Sequence, residues 1–521
     1  MIPANALPPV IRAAGILAAG ALQTLSLAPF DWWPLGLLSL LALFYFTGAL
    51  QPAHRSSETG RRGFWYGWLF GVGLFGSGAS WVYVSIHVYG YASPLLAGAL
   101  TLAFVLALAL FHGLQFWLLF RLRTRSMGAN GLLFVALWVF SDVFRSHFLT
   151  GFPWLFLGYG HLESPLSGWI PLVGVYGITF LVVLSSVLLY LMLTCRLWSE
   201  RFGLVVFGGM LWWQGWQLSH YTWTLDSEYQ LDVALLQTNI PQELKWHPSQ
   251  RTKTARLLTD MTRAHWDKEV IIWPETALPI LYDQATPYLE RMSEEALRED
   301  TNIISGIPYR EFNPDTREQR LHNSVLSMGV GDGIYHKQKL VPFGEYVPLQ
   351  DYLRGLIAFF DLPMSDFRKG PADQELLRSH ALKVAPFICY EVVYPDFVAR
   401  QSQAADYLVT ISNDSWFGQS IGPLQHLQMA QMRAAENSRF MLRGTNNGVT
   451  AIIDHKGRIV AQSEQFVRTT LTGKINIHQG NTPFSRYGSS PTILLSLTLL
   501  IICLFRFWKE RRAVSAPAKL G

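Results

Sequence analysis

The sequence predicts a membrane α-helical bundle of about eight transmembrane helices joined to a water-facing α/β layered domain. Three observations carry this. Half of the 521 residues are hydrophobic and only 15% are charged, whereas soluble domains carry about 25% charged residues. Long uncharged runs fill roughly the first 220 positions and return near 489–508, with a mixed polar stretch between them. That stretch alternates short β-branched runs with amphipathic helical ones, the pattern of strands and helices packed in layers.

A run of about 20 apolar residues crosses a bilayer as a helix. Such runs lie near 9–29, 32–50, 63–85, 92–120, 130–147, 167–194, 202–220 and 489–508. The expected organisation is an N-terminal bundle over 1–222, a polar domain over 229–478, a terminal helix over 489–508 and a tail over 509–521. Asp142 and Arg145 interrupt the fifth run, either as a pair inside the bundle or as the end of the span. The aromatic loop Phe148–Tyr159 reads as an interfacial belt or as a lipid-contacting rim.

Net charge is +5. Much of the surplus sits beside apolar runs, which points to orientation of the helices and not to nucleic acid. Arg55, Arg61 and Arg62, then Arg121, Arg123 and Arg125, then Arg196 and Arg201, and finally Arg506, Lys509, Arg511 and Arg512 fall on one side, while 86–91 has no Lys or Arg. Basic loops face the cytoplasm, so the polar domain is expected outside. Of the three cysteines, Cys195 and Cys503 lie in or beside apolar runs, leaving Cys389 alone in the polar domain. A disulfide framework is therefore not expected.

In that domain strands are expected at Leu231–Gln237, Val270–Trp273, Asn302–Ile307, Asn323–Met328, Lys383–Ile388, Tyr407–Ser412, Gly448–Asp454 and Thr470–Ile475. Helices are expected at 249–267, 286–299, 391–402 and 422–442. Folds of this kind place chemistry at strand ends. Three ends carry reactive side chains: Glu275 after Ile271–Pro274, Lys337, Lys339 and Glu345 around a turn, and Cys389-Tyr390-Glu391 after an apolar strand. Singly, each has a plain alternative: a core cysteine, a solvated turn, a surface charge. Their co-occurrence at strand ends favours chemistry. His322 and His336 lack ligand-like spacing, so neither metal nor cofactor is expected.

Pro274-Glu275, Lys337 with Pro342-Phe343-Gly344-Glu345, and Cys389-Tyr390-Glu391 resemble the three signature blocks of the nitrilase superfamily, in that family's order. Ser412–Gly418 and Thr445–Gly448 match its later blocks. The resemblance implies an α-β-β-α sandwich with Cys389 as nucleophile, Glu275 as general base and Lys337 as oxyanion partner. Glu345 would support the lysine and the base, the Tyr390 N–H would be a second oxyanion donor, and Glu391 would orient the turn. Together with the membrane frame, the chain resembles the apolipoprotein N-acyltransferase family. That implies a phospholipid acyl donor, a diacylglyceryl apolipoprotein acceptor and a bacterial inner membrane with the domain facing the periplasm.

The competing readings are a membrane-tethered amidase or nitrilase-type hydrolase using water as acceptor, and a transporter with a large binding domain. The stretch Val347–Phe367, with Phe359 and Phe360, reads as a core-packed helix or as a lid that dips into the bilayer interface. Trp246 and Trp416 are candidate acyl-chain contacts. Lys339 reads as a surface residue and His426 as packing.

Overall fold

Apolar character on every side of a helix calls for burial or for lipid, and two of the long helices are largely unburied. The computed structural model describes residues 7–52, 59–312, 318–346 and 367–515. Among them, Pro94–Leu122 has a hydropathy of 2.4 over its most apolar window with only 28% of that window buried, and Ser490–Arg512 has 2.0 with 17% buried. Leu102, Leu110 and Leu114 project outward. Such faces are stable against hydrocarbon, not water. With Met127–Arg145 and Pro165–Thr194, four helices among the described residues are long and apolar enough to cross a membrane. They become five if the bent pair Gly60–Gly78 and Val82–Tyr89 is one span.

The remaining expected runs fall short of that length and apolarity for physical reasons. Pro9–Thr24 and Pro34–Thr47 have 16 and 14 residues, which at 1.5 Å per residue reach about 24 and 21 Å against a hydrocarbon core of ~30 Å. Trp198–Leu218 is long enough but carries Glu200, Arg201, Gln214 and Gln217. The run expected at 63–85 is not one helix: it bends by 60° after Gly76-Ser77-Gly78-Ala79-Ser80, a Gly/Ser run of the kind that kinks helices.

The chain forms two compact units. One comprises Met1–Ser80, Gly98–Tyr221 and Ser489–Gly521; the other comprises Trp81–Ala97 and Thr222–Gly488. In the first, small residues let helices touch backbone to backbone. A Cβ on Gly20 would lie 2.1 Å from the Phe70 carbonyl oxygen, and one on Gly73 would lie 2.1 Å from that of Leu17. Pro9–Thr24 and Thr59–Gly78 therefore pack as glycine-mediated membrane helices do.

Asp142 and Arg145 form a pair at 2.9 Å, one turn apart and fully buried. Arg145 also donates to the carbonyls of Phe152 and Trp154 at 2.9 and 2.6 Å. This anchors the aromatic loop inward: Trp154, Phe156 and Tyr159 are buried, and only Phe148 and Leu149 at its start are exposed. The loop beyond them is thus neither an interfacial belt nor a rim, because its carbonyls serve a buried guanidinium.

In the second unit, strands β1 (Leu225–Gln237), β2 (Val270–Ile272), β3 (Asn302–Phe312), β4 (Gln319–Gly329), β5 (Ile334–His336) and β12 (Thr469–Gln479) form a sheet in the order β12-β1-β2-β3-β4-β5. Strands β6 (Leu377–Ser379), β7 (Leu382–Ile388), β8 (Tyr407–Ser412), β9 (Met441–Thr445), β10 (Ala451–Ile453) and β11 (Ile459–Gln462) form a second, β11-β10-β9-β8-β7-β6. Each has a parallel centre, β1-β2-β3 or β7-β8-β9, with antiparallel flanks. Val233, Ile272, Ile304, Ile388, Val409 and Leu442 share one buried cluster between the sheets. A second cluster joins Ile271 and Ile303 to Leu258, Leu289 and Met292 on helices Arg251–Arg263 and Tyr282–Arg298. Helices Pro395–Ser402 and Gly422–Asn437 cover the other sheet. The layers are α-β-β-α.

The helix expected over 422–442 stops at Asn437, because Ser438 turns left-handed (φ 46°), and Met441 opens the buried strand β9. Strands β5, β6, β9 and β11 are additional to the eight expected.

Arg145→Leu leaves Asp142 and two carbonyls buried without their donor. Loss of one partner of a buried pair costs about 3–5 kcal/mol, so this variant should unfold at markedly lower temperature in detergent. Asp142→Leu/Arg145→Leu should recover only part of the loss, because the carbonyls stay unpaired.

Candidate active site

The carboxyl ends of the parallel strands of both sheets meet at one place. Glu275 follows β2, Cys389 follows β7 and Asn413 follows β8. Glu275 Oε2 accepts from the Asn413 backbone N–H at 2.8 Å, which joins the two sheets. Its Oε1 accepts from Asn323 Nδ2 at 2.7 Å, and the same amide nitrogen donates to Glu345 Oε1 at 2.9 Å. Asn323, on β4, thereby holds both glutamates. Gly306 on β3 has no side chain because a Cβ there would meet the Glu275 Cα at 2.8 Å.

Lys337 leaves the end of β5 and is fully buried. Its Nζ lies 2.8 Å from the Glu345 carboxylate and 4.0 Å from that of Glu275. Burial alone would lower the ammonium pKa; Glu345, Glu275 and the Cys389 sulfur outweigh it and hold Lys337 above its ordinary value. The Glu345 carboxylate also accepts from the Val341 N–H at 2.8 Å, closing its own turn. Sequence expectation and geometry coincide here: Glu275, Lys337 and Glu345 form one cluster.

Cys389 begins the 3₁₀ turn Cys389–Val393 with a φ of +51°. A non-glycine residue there is strained by of order 1–3 kcal/mol and persists only where its surroundings hold it. Glu391, fully buried, supplies part of that hold. Its Oε2 accepts from the Ile388 N–H at 2.8 Å, and its Oε1 from the N–H groups of Gln338 and Lys339 at 2.6 and 3.1 Å and from the Tyr335 hydroxyl at 2.9 Å. One carboxylate thus ties the Cys389 turn to the segment that carries Lys337. Burial pushes Glu391 up to about 7 against these donors.

Burial, then the charge of Glu275, push the Cys389 thiol well above its ordinary value; Lys337 opposes them. Burial also raises Glu275, with Glu345 adding to it and Lys337, Asn323 and Lys245 opposing. The resting sulfur is therefore a thiol beside a carboxylate with raised proton affinity. Such a pair passes a proton as a bond forms at sulfur, without storing a free thiolate.

Of the other expected residues, Tyr390 is buried and packs edge-on to Tyr394 at 5.5 Å. Trp246 is 38% exposed. Trp416 is half-buried, its carbonyl accepting from Ser85 Oγ at 2.7 Å and its ring 5.9 Å from that of Tyr89. Phe359 and Phe360, with nearly all of the expected lid, lie outside the described residues. Lys339 is half-buried, its ammonium 5.5 Å from the Tyr394 ring centre, a cation–π contact and not a bare surface charge.

Sequence reasoning assigned no role to Asn323, Lys245, Asn413 or Asn446. Lys245 is buried and donates to the Glu275 carbonyl at 3.0 Å. Asn446 bridges Thr238, Ile240 and Asn413. The available signals were the later blocks Ser412–Gly418 and Thr445–Gly448, which were matched without chemistry attached to them.

A two-sheet sandwich with Cys, Lys and two Glu at its strand ends is the carbon-nitrogen hydrolase type of domain, and residues 232–481 match the carbon-nitrogen hydrolase family model. Residues 19–188 match the model of the apolipoprotein N-acyltransferase N-terminal domain. Proteins named apolipoprotein N-acyltransferase are similar over nearly the whole chain. One from Pseudomonas aeruginosa is 48% identical over 494 residues, 94% of each chain. Another from Azotobacter vinelandii is 48% identical over 501 residues, 95% of each. A third from Coxiella burnetii is 39% identical over 493 residues, 93% of this chain and 98% of the relative. The chain belongs to the apolipoprotein N-acyltransferase family.

Lys337→Met removes the cation that opposes burial and the Glu275 charge at the Cys389 thiol. Cys389 alkylation by iodoacetamide at pH 8, followed on its own peptide by mass spectrometry, should slow severalfold. Faster alkylation would contradict the charge arrangement described.

Proposed function

We propose that this chain is a phospholipid:apolipoprotein N-acyltransferase working through Glu275, Lys337 and Cys389. The observation that carries the reading is the strained Cys389 beside a base of raised proton affinity and a buried ammonium, in a chain of this family. In the first half-reaction Cys389 Sγ bonds to the ester carbonyl carbon of a phospholipid as its proton passes to Glu275. The oxyanion forms toward Lys337 and the Tyr390 N–H. The intermediate collapses by breaking the carbon–oxygen bond, and Glu275 returns the proton to the departing lysophospholipid. A thioester remains on Cys389.

In the second half-reaction the α-amine of a diacylglyceryl-modified N-terminal cysteine attacks the thioester. Glu275 takes a proton from the nitrogen, the carbon–sulfur bond breaks, and the thiolate recovers that proton. The product is an amide. The covalent intermediate divides one difficult transfer into two easier ones, and both substrates are held in a membrane.

The same reading gives eight crossings, with the short helices Pro9–Thr24 and Pro34–Thr47 included. It places the bundle at 1–222, the catalytic domain at 229–478 on the periplasmic side of a bacterial inner membrane, the last helix at 489–508 and the tail at 509–521 inside. The basic loops support that orientation. Trp246, Trp416, Phe359 and Phe360 are proposed to contact the acyl chain.

Purified protein incubated with acyl-labelled phospholipid should acquire hydroxylamine-labile label at Cys389, and Cys389→Ala should not. A diacylglyceryl peptide should then discharge the label as an amide. Free fatty acid in its place would indicate a hydrolase, and no label on the wild type would refute the acyl-enzyme.

Glu275 accepts protons only when ionised, so thioester formation should be full above its pKa and fall as pH drops through it. The raised pKa puts that acid limb above the ordinary glutamate value of 4.5. Lys245→Met removes a charge that holds Glu275 down, so the limb in the pH–rate profile should move to still higher pH.

A further inference from the structure

His426 sits on helix Gly422–Asn437 with 1% of its surface exposed. Packing alone does not account for what its two ring nitrogens meet. Nε2 lies 3.1 Å from the carbonyl oxygen of Cys389. Nδ1 lies 3.1 Å from Arg443 Nη2 and 3.3 Å from Asp414 Oδ1. Arg443 and Asp414 are themselves paired at 2.7 Å and fully buried.

These contacts fix the tautomer. A carbonyl oxygen only accepts, so Nε2 carries the hydrogen. A guanidinium nitrogen only donates, so Nδ1 of the neutral ring accepts from Arg443. Asp414 neutralises Arg443 and leaves the ring uncharged. Burial and the Arg443 charge hold His426 below its ordinary value, in agreement with a neutral ring. Ser412, which ends β8, hydrogen-bonds to Asp414 Oδ1 and reaches the Cys389 sulfur from the other side.

The backbone at Cys389 is thereby gripped on both flanks. Glu391 holds the Ile388 N–H before it, and His426 holds the Cys389 carbonyl after it. The left-handed φ of Cys389 lies between these two bonds.

We propose that His426, set in its neutral Nε2–H tautomer by Arg443 and Asp414, is a positioning residue that locks the nucleophile's strained turn and so aims the Cys389 sulfur between Glu275 and Lys337. The inference rests on Cys389 being the nucleophile; its test has one readout that does not depend on acyl transfer.

The experiment compares His426→Gln with His426→Met in the full-length protein in detergent. The side chains are of similar length, and only glutamine can donate to the carbonyl. In His426→Met the turn relaxes and the sulfur leaves its desolvated pocket. Iodoacetamide labelling of Cys389 at pH 8 should then rise at least threefold, while kcat for thioester formation from labelled phospholipid falls 10- to 100-fold with KM little changed. His426→Gln should stay within about threefold of wild type on both readouts, and thermal unfolding of the two variants should agree within a few degrees.

Equal rates in the two variants overturn the proposal, as does a joint loss of kcat and thermal stability that glutamine does not rescue. If His426→Met does not fold, His426→Gln decides alone: kcat within about threefold of wild type supports the lock, and a hundredfold loss at unchanged stability overturns it. If labelling moves as expected but wild type forms no thioester, the reading of the reaction fails and the lock stands.

Discussion

A fully buried ammonium cannot stand without partners, and the site is organised around that constraint at Lys337. Removing such a charge from water is expensive unless carboxylates and further hydrogen bonds surround it. Glu345 meets it directly and Glu275 stands at the edge of ion-pair range. Two carboxylates facing one cation then need their own restraint, and the single amide of Asn323 provides it by donating to both. Glu275 is thus immobilised by the needs of the lysine. Its raised proton affinity is the residue of an imperfectly neutralised, water-poor site.

The second organising element is the carboxylate of Glu391. It accepts hydrogen bonds from groups in two places, the residue before Cys389 and the segment on either side of Lys337. Relative placement of Cys389 and Lys337 therefore depends on one buried side chain and not on two independent loops. That matters because Cys389 occupies a backbone conformation it would leave if released.

Glu275 and Cys389 were legible in the sequence, because a Glu or Cys placed just after an apolar β run stands out against its surroundings; Lys337 and Glu345 stood out as charges around one turn. So was the layered fold, from the alternation of β-branched and amphipathic runs. Short strands were not: β5 and β6 have three residues each, too few for period-two alternation to appear. Strand β9 was absorbed into the preceding helix because the left-handed turn at Ser438 leaves no Gly or Pro as a signal. The neutral members of the site, Asn323, Asn413 and Asn446, were illegible as chemistry. An amide acquires its role only from what faces it, and those partners are far away in the chain. His426 was read as packing for the same reason, since the carbonyl it meets belongs to a residue 37 positions earlier.

The catalytic unit is not one continuous piece of chain. Trp81–Ala97, emerging between two hydrophobic helices, belongs to it. Trp81 donates to Gln425 at 3.2 Å and Ser85 to the Trp416 carbonyl at 2.7 Å, across 344 and 331 positions. A protein started at residue 222 would lack this strap and its contacts with Trp416, Phe417 and Gln425. During synthesis the strap is made early and waits for most of the chain before its partners exist. Separating the two-sheet unit for study by simple truncation would therefore remove part of the wall beside the Asp414–Phe417 turn, even though Glu275, Lys337 and Cys389 were retained.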